Sequence, residues 1–102
     1  MNQRIVDHFN HSAQTALASG ESLADDILRA SEAMLDTLDN GGKLLLCGNG
    51  GSAADALHFS AELLVRFQKE RKALPAVALV SDTATLTATG NDYAFDQIFS
   101  RQ

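Results

Sequence analysis

The stretch of sequence that decides the fold runs from residue 43 to residue 59 and reads KLLLCGNGGSAADALHF. Residues 43–47 form a short apolar run, which predicts a strand that is buried on both faces. The glycines of residues 48–51 predict a sharp turn, because glycine accepts backbone conformations that other residues avoid. Ser52 and Asp55 are spaced like a capping box, so a helix is expected to begin here.

A second apolar run follows this helix and completes a βαβ unit. The helix is expected to extend to about Phe67, and Ala76 to Val80 reads as the second strand after Pro75. One helix between two strands predicts parallel pairing and a right-handed crossover. The inward face of the helix is predicted to carry four residues, Ala56, Ser60, Leu63 and Phe67. Two parallel strands alone do not make a stable sheet, so a fragment or truncated product of a larger α/β domain is expected.

The segment before the first strand predicts two helices. Apolar residues from Ile5 to about Leu17 recur at helical spacing, and Gly20 is expected to end this first helix. Ser22, with an acidic residue three positions later, predicts the start of a second helix. Residues 40–42, with the sequence NGG, are expected to end it.

The segment after the second strand predicts two short helices. Residues 81–83 can cap a helix that runs through Ala88. Gly90-Asn91-Asp92 is expected to form a turn, and Tyr93 to Ser100 is expected to form a final helix.

Composition narrows the class of protein and its partners. The chain has 102 residues, of which 45% are hydrophobic and 21% charged, as in a small soluble domain. The net charge of −5 and the lack of a basic cluster argue against nucleic acid and membrane partners. Cys47 is the one cysteine and is expected to be a small buried hydrophobe, with a catalytic role as the minor alternative. With no apolar signal core and no membrane-spanning run, the protein is expected to be cytoplasmic.

The glycine turn is the first candidate site. It lies between the carboxyl end of a strand and the start of a helix, where free N–H groups and the helix dipole favour an anion. A tight turn without a ligand remains an alternative. Residues 48–53 also fit the dinucleotide-binding fingerprint. That pattern expects an acidic residue about 20 positions later, after the second strand, but the second predicted strand ends at Asp82, much too far along. A Walker-type phosphate loop is excluded, because no Gly-Lys-Ser/Thr follows.

His58 and Glu62 form the second candidate site. They are four residues apart on the predicted helix and therefore share one face. An imidazole and a carboxylate in this arrangement can ligate a metal or move protons. An ordinary surface pair is the alternative, since two ligands fall short of a complete zinc site. His8 and His11 lie on another element and are expected to be solvated.

Several motifs together resemble the phosphoheptose isomerases, a group within the sugar isomerase (SIS) domain family. The resemblance covers essentially all 102 residues but only about the first half of the chain typical of that group. The residues that carry it are Cys47 to Phe59, Glu62-Leu63, Arg66-Phe67, Leu74 to Leu79, Gly90 to Tyr93 and Ile98 to Ser100.

The resemblance implies a fold and a reaction. The fold would be the N-terminal part of a flavodoxin-like three-layer αβα sandwich, in one SIS domain that includes all of 1–102. Residues 1–40 would be a helical oligomerisation segment of a homotetramer, and residues 43–102 would bind the sugar phosphate. The reaction would convert sedoheptulose 7-phosphate into D-glycero-D-manno-heptose 7-phosphate for lipopolysaccharide heptose biosynthesis.

The resemblance also implies a role for individual residues. Glu62 would be the base that moves a proton through an enediol, and His58 and Glu62 would ligate zinc. Substrate would be bound by Asn49, Gly50, Gly51, Ser52, Glu62, Arg66, Asn91 and Asp92. The remaining zinc ligands and the serine/threonine-rich phosphate loop are expected beyond residue 102, so residues 1–102 alone are expected to be inactive and to bind zinc weakly.

Two other functions remain open at this point. One is a non-catalytic regulator of the same family that binds the bacterial replication initiator, although the presence of Glu62 favours the enzyme. The other is a functionless truncated product, or an oligomerisation module built on the helices of residues 1–40.

Overall fold

A computed structural model describes all 102 residues, which form a mixed α/β chain. Residues Met1–Asp36 make up one compact unit and Thr37–Gln102 a second. None of the helices has the length and apolar character that a membrane span requires. The elements in chain order are α1 (Asn2–Asp39), β1 (Leu44–Leu46), α2 (Gly51–Leu64), β2 (Ala76–Ala78), α3 (Thr83–Asp92) and a 3-10 turn (Phe95–Gln97).

Helix α1 is one continuous helix of 38 residues, so the prediction of two N-terminal helices is wrong. Gly20 and Ser22 both lie inside it, and Ser22 does not start a new helix. A glycine in a helix interior costs only about 1 kcal/mol relative to alanine, which neighbouring helical turns can offset. Large apolar side chains along α1 are exposed, and they include Ile5, Phe9, Leu17, Ile27, Leu28 and Leu35.

The end of α1 confirms the predicted stop at residues 40–42. The Gly42 N–H donates to the Thr37 carbonyl at 2.8 Å, and the Gly41 N–H donates to the Leu38 carbonyl at 3.1 Å. This pair of bonds is a Schellman motif, which satisfies two of the last carbonyls of the helix. Gly41 has φ 77°, a left-handed conformation that glycine adopts without strain.

Strands β1 and β2 pair in parallel, as predicted for a βαβ unit. Leu44 is opposite Ala76, and Leu46 is opposite Ala78. Helix α2 connects the strands and packs against both of them. The expectation of a strand buried on both faces is wrong, because Leu45 is 55% exposed. Alternate residues of a strand point to opposite faces, so α2 covers one face of this sheet and the other is open.

The core of the βαβ unit is small. Its buried residues are Ala56, Ser60 and Ala76, while Thr89 and Ile98 are buried in the segment that follows β2. Ala56 and Ser60 lie on the inward face of α2, as predicted, and Leu63 is half-buried. Phe67 does not belong to this face, because α2 ends at Leu64 and Phe67 is 73% exposed.

Helix α3 is longer than predicted. Asp82 caps it, and it continues to Asp92, so Asn91 and Asp92 lie in the helix and not in a turn. Gly90 is also helical, and a Cβ there would lie 3.9 Å from the Ile98 side chain, which packs nearby. The expected final helix is reduced to the 3-10 turn Phe95–Gln97.

Candidate functional site

The glycine turn begins the site at the carboxyl end of β1. Gly50 has φ 55° and is the N-cap of α2, with no side chain bonded to the cap. The predicted Ser52–Asp55 capping pair is therefore wrong, and Ser52 lies inside the first turn of α2. The N–H groups of Ser52 and Ala53 donate to the carbonyls of Asn49 and Gly50, at 2.9 and 3.1 Å.

The turn leaves the Gly51 amide, at the N-terminus of the helix, for a ligand. The first four N–H groups of a helix have no partner within the helix. In α2 the N–H groups of Ser52 and Ala53 bond to carbonyls of the turn, whereas the Gly51 N–H makes no bond of this kind. This amide, the Ser52 hydroxyl and the positive end of the helix dipole together suit a negatively charged or oxygen-rich ligand.

Two adjoining concavities connect the turn with the predicted His–Glu pair. The first has a volume of about 310 Å³ and is lined by Leu46, Cys47, Ser52, Asp55, Ala56 and Phe59. The second, of about 280 Å³, is lined by Asp55, His58, Phe59 and Glu62. Because both include Asp55 and Phe59, they form one continuous surface along α2 that brings Ser52, His58 and Glu62 to the same side.

His58 and Glu62 are direct neighbours on this surface. The His58 Nε2 atom lies 3.3 Å from Glu62 Oε1, one helical turn away. The His58 side chain is 78% exposed and the Glu62 side chain 35% exposed, so both can be reached by a ligand. The pair is an ion pair only when the imidazole is protonated, and otherwise the two groups are free to act as donors to a metal.

The spacing of these two atoms fits a shared zinc ion. A tetrahedral zinc centre with bonds of about 2.0–2.1 Å separates neighbouring ligand atoms by about 3.3 Å. The chain contains no group of three or more His, Cys, Asp or Glu side chains that could hold a metal ion. His58 and Glu62 thus provide two suitable ligands but do not form a complete metal site.

Asp55 is a candidate residue that the sequence reasoning missed. It lines both concavities and precedes His58 by one helical turn. Its spacing to His58 and Glu62, three and seven residues, is the signal that could have identified it, because such residues share a helix face. Because Asp55 was interpreted as a capping partner of Ser52, its place on the same helix face as His58 and Glu62 was not predicted.

Cys47 is exposed, which corrects the expectation of a buried residue. It follows β1 directly and lines the first concavity together with Ser52. The sheet is open at this position, so the side chain at the end of the strand is not covered.

Three predicted substrate contacts belong neither to the glycine turn nor to these concavities. Arg66 follows the end of α2, and its Nη1 atom donates to Glu70 Oε2 at 2.9 Å. Asn91 and Asp92 are in the last turn of α3, which does not pack against α2. The Asn91 amide donates to Asp92 Oδ1 at 2.9 Å. This chain therefore does not bring the three residues together with Glu62.

The fold and the site define an α/β protein with a glycine turn after its first strand and a His–Glu pair on the helix that follows. The chain belongs to the SIS domain family, since the SIS domain model matches residues 8–102. This agrees with the predicted family and fold class.

Individual relatives are similar over the whole chain. Phosphoheptose isomerases of Shewanella loihica and Shewanella sediminis are each 56% identical over 102 residues, which are 100% of this chain and 52% of theirs. The solved phosphoheptose isomerase of Neisseria gonorrhoeae is 46% identical with a TM-score of 0.90. The match covers 99% of this chain and 52% of that one. The solved phosphoheptose isomerase of Francisella tularensis is 46% identical with a TM-score of 0.91, and the match covers 98% of this chain and 52% of that one.

The chain spans about half the length of the relatives that it matches. Their names agree with the predicted enzyme, and none of them supports the alternative of a regulator that binds the replication initiator.

Proposed function

We propose that this chain contributes to a sugar-phosphate aldose–ketose isomerase that converts sedoheptulose 7-phosphate into D-glycero-D-manno-heptose 7-phosphate, for lipopolysaccharide heptose biosynthesis. The observation that carries the proposal is the His58–Glu62 pair, with 3.3 Å between Nε2 and Oε1, in a concavity that continues to the glycine turn. The names of the relatives support this choice of substrate.

The isomerisation needs a base beside two adjacent carbons of the sugar. The Glu62 carboxylate takes a proton from C1 of the ketose, and the electron pair of that C–H bond forms the double bond of an enediol. The same carboxylate then returns the proton to C2, while a proton moves from the oxygen on C1 to the oxygen on C2. Glu62 suits this role because it lies on a helix and its side chain is only 35% exposed.

The glycine turn would bind the sugar phosphate. The Gly51 N–H and the Ser52 hydroxyl lie at the positive end of α2, and Asn49 and Gly50 form the turn around them. Arg66, Asn91 and Asp92 would contact substrate after exchanging their present partners, which are Glu70 for Arg66 and each other for the remaining two.

His58 and Glu62 would also hold a zinc ion, with further ligands from outside these 102 residues. When bound, zinc would act as a Lewis acid on the substrate oxygens. The proposal includes a homotetramer assembled through residues 1–40, and the exposed apolar side chains of α1, such as Phe9 and Ile27, support it. It also includes a cytoplasmic location, in keeping with a lone cysteine.

The experiment uses the complete gene product that carries residues 1–102, with sedoheptulose 7-phosphate in D₂O. Wild type is expected to form the heptose 7-phosphate and to introduce deuterium at C2, as followed by NMR. Glu62→Gln keeps the size of the side chain but removes the base, so kcat should fall by about 10²–10⁴-fold. The matched control Glu21→Gln changes an exposed residue of α1 and should stay within about twofold of wild type. A wild type without turnover, or an active E62Q enzyme, would refute the proposal.

A further inference from the structure

The last turn of α2 depends on a side chain from outside the helix. The final four carbonyls of a helix have no partner within it. Here the Ala61 carbonyl accepts from the Val65 N–H at 2.9 Å, and the Leu63 carbonyl accepts from the Leu74 N–H at 3.0 Å. A further partner comes from Arg71, whose Nη2 atom donates to the Glu62 carbonyl at 2.7 Å.

Arg71 makes more than one contact with this turn. Its Nη1 atom donates to the Leu63 carbonyl at 2.9 Å and to the Lys72 carbonyl at 3.1 Å. The guanidinium thus bridges consecutive carbonyls of α2, from a position nine residues beyond Glu62. It makes no ion pair with a carboxylate, and a positive charge at a helix C-terminus is favourable because of the helix dipole.

Glu62, whose carbonyl accepts from Arg71, also carries the carboxylate proposed as the base. Glu62 is the third-last residue of α2, in the part of a helix that frays most easily. The side chains of Glu62 and Arg71 also line one concavity of about 330 Å³, together with Phe59, Leu63 and Phe67. A shift of the last turn would move both the backbone and the carboxylate of Glu62.

We propose that Arg71 is a positioning residue for Glu62, holding the last turn of α2 so that the carboxylate stays beside His58 and the substrate. This inference depends on the proposed function, because it requires Glu62 to be the base. A misplacement of about 1 Å in a reacting group can lower a rate by about 100-fold, so a clamp on this turn has a measurable effect.

The test compares Arg71→Met with wild type in the complete gene product, with sedoheptulose 7-phosphate as substrate. Methionine keeps an apolar stem but donates no hydrogen bonds. The expected result is a fall in kcat of about 10–100-fold with KM within about threefold, because the lost contact acts on the reacting group and not on binding. The R71M enzyme should also show faster hydrogen exchange at the Val65 amide.

A double-mutant cycle separates positioning from general destabilisation. If Arg71 acts through Glu62, R71M should not slow the E62Q enzyme further, whereas a merely structural effect would lower both backgrounds equally. The control Arg101→Met removes an arginine whose Nη2 atom donates to the Tyr93 hydroxyl at 2.9 Å, away from α2. It should leave kcat and Val65 exchange unchanged.

The other possible results distinguish a failure of the role of Arg71 from a failure of the proposed function. If R71M does not fold, Arg71→Lys carries the test, since one ammonium can reach one carbonyl and kcat should fall by about three- to tenfold. An R71M or R71K enzyme with wild-type kcat, while E62Q is inactive, overturns the role of Arg71 alone. An active E62Q enzyme overturns the proposed function instead, and with it the base that Arg71 would position.

Discussion

Gly48 lies so close to Ser52 that a Cβ on Gly48 would sit 2.6 Å from the Ser52 Cβ. The backbone carbonyl of Ser52 would be only 2.8 Å away, so the contact is with backbone as well as side chain. The chain just after β1 therefore approaches the first turn of α2 more closely than any residue with a side chain permits, and the glycine turn depends on this approach.

We expect Gly48→Ala to destabilise the turn, because β1 and α2 must separate to accommodate the methyl group. The free energy of unfolding should fall by about 1–3 kcal/mol, the usual range for overpacking, as measured by urea denaturation. Gly51→Ala is the matched control for stability, since a Cβ at Gly51 meets nothing within 4 Å. Equal stabilities of the G48A and G51A proteins would contradict the prediction.

The βαβ unit could be predicted from sequence because its signals are local. The apolar runs of residues 43–47 and 76–80 each end in turn residues, and the spacing between them accommodates one helix. The parallel register then follows from the crossover. Residues 40–42 were equally informative, because the left-handed conformation of Gly41 suits glycine at a helix end.

The failures of the sequence-based predictions have a common physical cause. Gly20 is a weak helix breaker, and the surrounding turns of α1 override it. Asn91 and Asp92 favour turns, but the helix begun by Asp82 continues through both. Helix propensity is a property of a single residue. A helix ends where adding one more residue no longer lowers the free energy of the whole cooperative segment.

The candidate site was predictable only in part. The four-residue spacing of His58 and Glu62 predicts that they share a face, and they do. The role of Arg71 was not predictable, because no periodicity connects it with Glu62, nine residues earlier. Contacts of this kind depend on how the chain returns after a helix.

The interior of α1 offers a second prediction. Gly20 is exposed and a Cβ there meets nothing within 4 Å, so alanine fits without strain. Gly20→Ala should stabilise the protein by about 0.4–1 kcal/mol, chiefly by reducing the conformational freedom of the unfolded chain. Gly41→Ala should do the reverse and cost about 1–2 kcal/mol, since φ is 77° there. Thermal unfolding monitored by circular dichroism distinguishes them, and a stabilised G41A protein would argue against the described helix end.

Metal binding is the third prediction. If His58 and Glu62 are zinc ligands, His58→Gln should weaken zinc binding to the complete gene product by at least about 10–100-fold, the range known for changes to groups that only orient a metal ligand. Affinity should also fall in acidic solution, because a metal ligand must be deprotonated. Isothermal titration with zinc measures both effects. His11→Gln, on α1, is the control, and a H58Q protein with wild-type affinity would remove His58 from the ligand set.

Asp82 gives a pH-dependent prediction. The pKa of Asp82 is lowered, first because the Thr85 hydroxyl donates to its carboxylate and second because the Thr85 N–H does the same. The corresponding distances are 2.6 Å to Oδ2 and 3.0 Å to Oδ1. These bonds favour the charged form, so the stabilisation of α3 by this cap is present above the pKa of Asp82 in the unfolded chain. It is lost as the pH falls through the lower pKa of the folded protein.

Asp82→Asn should therefore be less stable than wild type at neutral pH, and the difference should shrink as the solution is acidified below the ordinary pKa of aspartate. Asparagine can still accept from the Thr85 N–H, but its Nδ2 group cannot accept from the Thr85 hydroxyl. Thr85→Ala removes the hydroxyl bond alone and should raise the pKa of Asp82 towards its usual range. Urea unfolding at a series of pH values, with NMR titration of the Asp82 carboxyl carbon, measures both effects. A stability difference between D82N and wild type that does not vary with pH would mean that the charge of Asp82 contributes nothing to the cap, and that its oxygen acceptors alone hold the start of α3.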